Sequence, residues 1–197
     1  MESLKKTDPK TIGPFETVAR LGAGGMGVVY LAQRKSERVA LKVISSAFMA
    51  DASARTRFDR ETGSLRKAKS PFVASVIDSS SDEELPWLAV EFISGASLKE
   101  LVEDKGPVSD VEWWSIAIAM SSALTAIHAA GLIHRDIKPA NVLMSDKGPK
   151  IIDFGISHSS DQTSVTDPRC ASCLGVHEDR VDNERTGGSP FVGGLRT

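Results

Sequence analysis

Cysteine is scarce in this chain: Cys170 and Cys173 are the only two in 197 residues, three apart in a late polar stretch. A lone C-x-x-C lacks the second ligand pair of a zinc site and the βαβ setting of a redox motif. So little thiol implies a reducing, cytoplasmic compartment. Charge of one sign is also lacking, since the formal net charge is −2, so no nucleic acid or anionic membrane is expected as the main partner. Met1–Lys10 is polar and has no apolar core of a secretory leader. A long apolar run is nearly absent as well. Trp113–His134 carries no Asp, Glu, Lys or Arg, but Ser115, Ser121, Ser122, Thr125 and His128 interrupt it and alanine outnumbers leucine. That pattern reads as a buried core helix, with no membrane segment in this chain. There is no internal repeat.

What remains is ordinary for a globular protein: 41% hydrophobic and 25% charged residues. The length suits one large domain or two small lobes sharing a cleft. Phe15–Leu21 reads as a strand, Gly22–Gly27 as a turn and Val28–Ala32 as a second strand. The β-branched pair Val28-Val29 favours strand over the helix that a dinucleotide fold would place after the glycines. Arg38–Ile44 alternates apolar positions around Lys42. Ala50–Lys69 is helix-like, and Ser70-Pro71 ends it. Strands are expected near Phe72–Asp78 and Trp87–Phe92. Ser97 caps a helix over Leu98–Glu103, and Ser109 with Glu112 makes a capping box for the long apolar helix. Val142–Met144 and Lys150–Ile152 read as short strands. Strands first and helices later predict an α+β, two-lobed architecture.

Five stretches are candidates for chemistry. Gly22-Ala23-Gly24-Gly25-Met26-Gly27 is a G-x-G-x-x-G run whose backbone N–H groups can approach phosphate oxygens without side-chain obstruction. Lys42 stands inside an apolar strand, V-A-L-K, where burial is costly unless it is paired. An edge-strand lysine reaching solvent is the bland alternative. His134–Asn141 reads H-R-D-I-K-P-A-N, and Asp153-Phe154-Gly155 follows an apolar strand. Glu91-Phe92-Ile93 closes a strand beside small apolar residues and is equally compatible with a plain core strand.

Taken in order, these motifs resemble the protein kinase superfamily, and in particular bacterial (actinobacterial-type) serine/threonine kinases. The resemblance implies a kinase-like fold with a β-rich N-lobe and an incomplete helical C-lobe. It implies ATP and Mg²⁺ as cofactors, with a protein substrate of unknown identity. By that resemblance Asp136 orients the attacking hydroxyl and Lys138 steadies the transferred phosphoryl group. Asn141 and Asp153 hold the metal, and Lys42, paired with Glu61, holds the α- and β-phosphates. Asp59 is the rival to Glu61 but falls two positions off. Gly22, Gly24, Gly27, Val29, Ala40, Lys42 and Leu143 line the nucleotide site, with Val90 as gatekeeper and the Glu91 carbonyl and Ile93 N–H meeting adenine. His134 and Phe154 are read as packing residues.

The expected domain plan is a flexible arm over 1–11, an N-lobe and hinge over 12–93, a partial C-lobe over 94–166, and an aberrant, disordered tail over 167–197. The tail has four Arg, no Lys and no periodicity, and Ser189-Pro190 is followed by Phe191 rather than Glu. It is read as a frameshifted continuation of the gene. Thr163, Ser164 and Thr166 are candidate phosphosites ahead of it. A chain ending this way is expected to leave apolar faces of Trp113–Ile133 uncovered and to position its catalytic loop poorly. The alternative function is a catalytically silent nucleotide-binding or scaffold fragment that engages a partner kinase. A kinase acting on small molecules fits Lys138 and the H-R-D form less well.

Overall fold

The strand built around Lys42 sets the architecture. In Glu37–Ile44 (β4), Val39 and Leu41 are fully buried while Ala40 and Lys42 point to the opposite face, as period-2 geometry requires. A computed structural model describes residues 1–25, 27–45, 49 and 52–153, all within one compact unit. Phe154, Gly155, the three candidate phosphosites, both cysteines and the expected tail over 167–197 lie outside the described residues.

Thr11–Ile12 (β1), Phe15–Gly24 (β2), Gly27–Arg34 (β3), β4, Val76–Ser80 (β5) and Trp87–Glu91 (β6) form one antiparallel sheet in the order β1-β2-β3-β4-β6-β5. One face carries Ile12, Phe15, Tyr30, Ala32, Val39, Leu41, Trp87 and Ala89 as a single cluster. Phe15 meets Trp87 edge-on at 5.5 Å. The other face is covered by Ala52–Leu65 (α1), which buries Ala54, Phe58, Thr62 and Leu65 at helical spacing. Phe58 packs there with Ile44, Met49, Ala54 and Leu88. The helix is shorter than the expected 50–69. From Arg66 onward the chain turns, and the strand expected near Phe72–Asp78 begins only at Val76; Phe72–Ala74 pairs instead with the second sheet, where Ile151 N–H donates to the Phe72 carbonyl at 2.9 Å and Ala74 N–H to the Ile151 carbonyl at 3.0 Å.

The second sheet has three strands, Ala96–Ser97 (β7), Val142–Ser145 (β8) and Gly148–Ile151 (β9). Leu98–Lys105 (α2) and Asp110–Ala129 (α3) each begin with a complete capping box, Ser97 with Glu100 and Ser109 with Glu112. α3 is apolar around most of its girth, yet only the stripe Ile116, Ala119, Ala123 and Ile127 is buried. Val111, Trp114 and Ile118 are 77%, 65% and 65% exposed.

Residues 1–11 are not the free arm expected. The Glu2 and Arg20 backbones exchange hydrogen bonds at 2.8 and 2.9 Å, Thr17 N–H donates to the Lys10 carbonyl at 3.0 Å, and Leu4 packs on the sheet's core. The reason is an edge: β2 would otherwise present unpaired backbone groups, and residues 1–11 cover them.

Candidate functional site

Between the two sheets lies a cleft of about 850 Å³. Its roof is the β2–β3 hairpin. Pairing runs Gly22 with Val29 and Gly24 with Gly27, and a register shift between Arg20 and Gly22 leaves Leu21 as the bulged residue. A bulge sharpens local twist, and both Leu21 and Gly22 line the cleft. A Cβ on Gly22 or Gly24 would meet nothing within 4 Å, so the roof is open on its outer turn. Gly27 is different: its φ is +142°, and a Cβ would lie 1.9 Å from the Val43 carbonyl oxygen.

The upper wall follows from strand register. Val29, Lys42 and Leu88 sit opposite one another on β3, β4 and β6, and Ala40 sits opposite Val90. All five line the cleft. Alternation through β6 would have pointed to Leu88, which the sequence reading left out. The linker after β6 supplies Glu91 and Ile93, and β8 supplies Leu143. Glu91 also forms an ion pair with Lys150 of β9, with side chains 29% and 15% exposed. Lys150 had no local sequence signal, because its partner is 59 residues away.

The lower wall is the segment from His134 to Asn141. His134 is 2% exposed, and burial holds its pKa below the usual imidazole range. Its Nε2 lies 3.1 Å from the Ile152 carbonyl oxygen and its Nδ1 lies 3.4 Å from the Asp136 N–H. A neutral ring donating from Nε2 and accepting at Nδ1 satisfies both contacts. His134 therefore joins the Asp136 loop to the residue before Asp153. The Asn141 side-chain amide donates to the Asp136 backbone carbonyl at 2.8 Å and carboxylate at 3.0 Å, and the Asn141 backbone carbonyl accepts from Ile152 N–H at 2.9 Å. Lys138 Nζ donates to Asp136 at 2.7 Å. These contacts, Lys138 foremost, lower the Asp136 pKa and keep it ionised. Arg135 and Asp153 adopt left-handed backbone, φ +65° and +56°. Such geometry is costly for residues with a Cβ and clusters at functional sites.

Lys42 from β4 and Asp153 from beyond β9 form an ion pair. The sequence reading expected Lys42 to pair with Glu61; among the described residues no ion pair joins them. Asp153 is the anion at the ammonium, and Glu61, half-buried on α1, lies instead in the field of Arg135, Arg60 and Arg57. Burial is the largest influence on Glu61 and raises its pKa. Gly22, Val29, Ala40, Lys42, Glu91, Ile93, Leu143, Asn141 and Asp153 thus share one cleft. Asp136 and Lys138 stand at its edge through Asn141, while Gly24, Gly27 and Glu61 are not among its lining residues.

The donor set suits a divalent cation. Asn141 turns its amide nitrogen toward Asp136, which leaves its carbonyl-type oxygen as a ligand, and the Asp153 side chain is 40% exposed. Both are hard oxygen donors.

The protein kinase domain family matches residues 15–174. Serine/threonine-protein kinase AfsK of Streptomyces griseus is 43% identical over 169 residues, covering 84% of this chain and 21% of that protein. The probable serine/threonine-protein kinase PkwA of Thermomonospora curvata is 40% identical over 167 residues, 84% of this chain and 22% of that one. Among solved structures, the Mycobacterium tuberculosis PknI kinase domain superposes with a TM-score of 0.66 at 32% identity, covering 81% of this chain and 64% of that domain. The chain spans about a fifth of the length of the curated relatives it matches.

Proposed function

Because this chain belongs to the protein kinase domain family, we propose that its cleft binds ATP with Mg²⁺ and transfers the terminal phosphoryl group to serine or threonine hydroxyls of a protein substrate. One observation carries the reading. A lysine from one sheet and a carboxylate from the segment after the other meet across a cleft walled by small apolar side chains. In this reading residues 12–93 and 94–166 are the two lobes around that cleft.

The residues take the following parts. The open outer turn of the β2–β3 hairpin leaves room for backbone N–H groups to approach phosphate oxygens. Val29, Ala40, Val90 and Leu143 enclose the adenine, and the backbone of Glu91 and Ile93 reads its edge. Lys42 exchanges its contact with Asp153 for the α- and β-phosphates and Glu61, which frees Asp153 to join Asn141 as a metal ligand. Mg²⁺, when bound, neutralises charge on the phosphate oxygens. Asp136, kept ionised, accepts a hydrogen bond from the attacking hydroxyl and aligns it, while Lys138 screens the moving phosphoryl charge. Dependence on cytoplasmic ATP makes the cytoplasm the compartment we propose.

A silent scaffold or nucleotide-binding fragment that engages a partner kinase also has an observation in its favour: Lys42 is engaged by Asp153 rather than by Glu61. Transfer of label from γ-labelled ATP to a general protein substrate separates the two. Asp136→Ala should lose about 10²- to 10⁴-fold in rate. Equal incorporation by wild type and variant removes the enzyme and leaves the scaffold.

A further inference from the structure

The segment ahead of β1 does more than cover an edge. Asp8, whose side chain is 3% exposed, receives Arg20 Nε at 2.7 Å and Nη2 at 2.5 Å. It also receives the Tyr30 hydroxyl at 3.0 Å and the Lys5 backbone N–H at 2.7 Å. The carboxylate is thus saturated by four donors, and the Arg20 guanidinium lies 5.9 Å from the Tyr30 ring centroid. Arg20 and Tyr30 are cross-strand partners in the β2–β3 hairpin. Arg20 stands immediately before the bulged Leu21, and Tyr30 immediately after Val29, so the clasp grips both strands where the cleft-lining part of the roof begins. On the far side of that grip, Gly22 and Gly24 have nothing within 4 Å of a Cβ position. The same strap brings Met1 to the cleft lining beside Leu21 and Gly22.

We infer that residues 1–10 are a strap that sets the height of the glycine hairpin over the phosphate end of the cleft, with Asp8 and Arg20 as positioning residues for ATP. The inference rests on the nucleotide reading above. A hairpin gripped at its base by a bidentate, saturated pair has fewer orientations open to its tip. Backbone N–H groups that must meet phosphate oxygens then start close to their working positions. Without the Asp8 charge, Arg20 is left poorly paired in a confined place and the strap lifts from β2. Adenine, enclosed by Val29 of β3 together with Ala40, Val90 and Leu143 of β4, β6 and β8, depends on the strap far less than the phosphates do.

The test is calorimetric titration of the full chain with Mg-ATP and, separately, with adenosine, which has no phosphates. Asp8→Asn should weaken Mg-ATP binding by about tenfold while adenosine changes less than about twofold. Tyr30→Phe, which removes one hydrogen bond to Asp8 and keeps the aromatic packing, should weaken Mg-ATP by about twofold to threefold and leave adenosine alone. If Asp8→Asn fails to fold, Tyr30→Phe with Arg20→Lys, which keeps the charge without the fork, carries the comparison. Variants that bind Mg-ATP like wild type overturn the strap's role while the nucleotide reading stands. Equal weakening of both ligands also overturns it, since general loosening explains that result. A wild-type chain that binds neither ligand overturns the nucleotide reading and the strap with it.

Discussion

Alanine at each of the three motif glycines should separate folding from nucleotide binding. At Gly27 the backbone has φ +142°, and an added Cβ would sit 1.9 Å from the Val43 carbonyl oxygen and 3.0 Å from its carbon. Ordinary carbon–oxygen contacts lie near about 3.3 Å, so a strand carbonyl in the middle of the sheet must retreat by more than about 1 Å. The disfavoured backbone costs about 1–3 kcal/mol, and displacing the β4 carbonyl brings the sum to about 3–5 kcal/mol. For a unit of this size the melting temperature should fall by about 10 °C. At Gly22 and Gly24 a Cβ meets nothing within 4 Å, so the unliganded variants should melt within about 2 °C of wild type. Their defect appears with ligand. Mg-ATP at a hundredfold excess over its Kd should stabilise wild type by about 2.7 kcal/mol. A tenfold loss of affinity should remove about half of that. Differential scanning fluorimetry with and without Mg-ATP reads both effects. A Gly27→Ala chain melting with wild type, or a Gly22→Ala chain melting as low as Gly27→Ala, refutes the division between one glycine the fold requires and two whose proposed role is with the phosphates.

Three further outcomes follow from packing and charge. Glu61 has its pKa raised by burial, from 4.5 upward; its neutral form suits the folded state, so its contribution is fully present below pH 4.5 and is lost as pH rises through the folded value. Glu61→Gln should therefore melt above wild type at neutral pH, converge with it toward pH 4.5, and lose phosphoryl transfer; a gap independent of pH would refute this. Phe58→Ala empties the centre of the cluster between α1 and the sheet, where Phe58 is 1% exposed, and should cost about 3–5 kcal/mol in urea denaturation; a loss below about 1 kcal/mol would show that α1 does not rest on it. Gly95→Ala would put a Cβ 2.1 Å from the Met144 carbonyl oxygen, so the linker after β6 should shift, lowering both the melting temperature and the response to Mg-ATP; an unchanged response would disconnect that linker from the cleft.

Much of this protein is local, and local features could be read from the chain. The capping boxes Ser97–Glu100 and Ser109–Glu112 are closed within four residues, so the starts of α2 and α3 needed no tertiary information. The alternation of apolar positions around Lys42 is kept by the strand, which buries Val39 and Leu41 on one face and sets Ala40 and Lys42 on the other. Partners chosen across long separations could not be read this way. α3 is apolar on nearly every side, so periodicity gave no preferred face; packing with Ile151 of β9, Leu65 and Val73 selected Ala123 and Ile127, and Ile116 and Ala119 are buried on the same helix. Phe72–Ala74 has strand-like residues, but which sheet it joins depends on where Ile151 arrives.

The amino-acid order alone determined the two-part α+β plan, the glycine hairpin and the set of polar groups proposed to meet phosphate and metal, because each is encoded in spacing over a few residues. Tertiary structure decided which carboxylate answers Lys42, how Asp136 is held by Lys138 and Asn141, and that Asp8 reaches Arg20 and Tyr30 to turn an expected arm into a strap. Charge pairing has no periodicity. An ammonium takes the anion that folding brings within reach, and neither the distance nor the competition is written in the neighbouring residues.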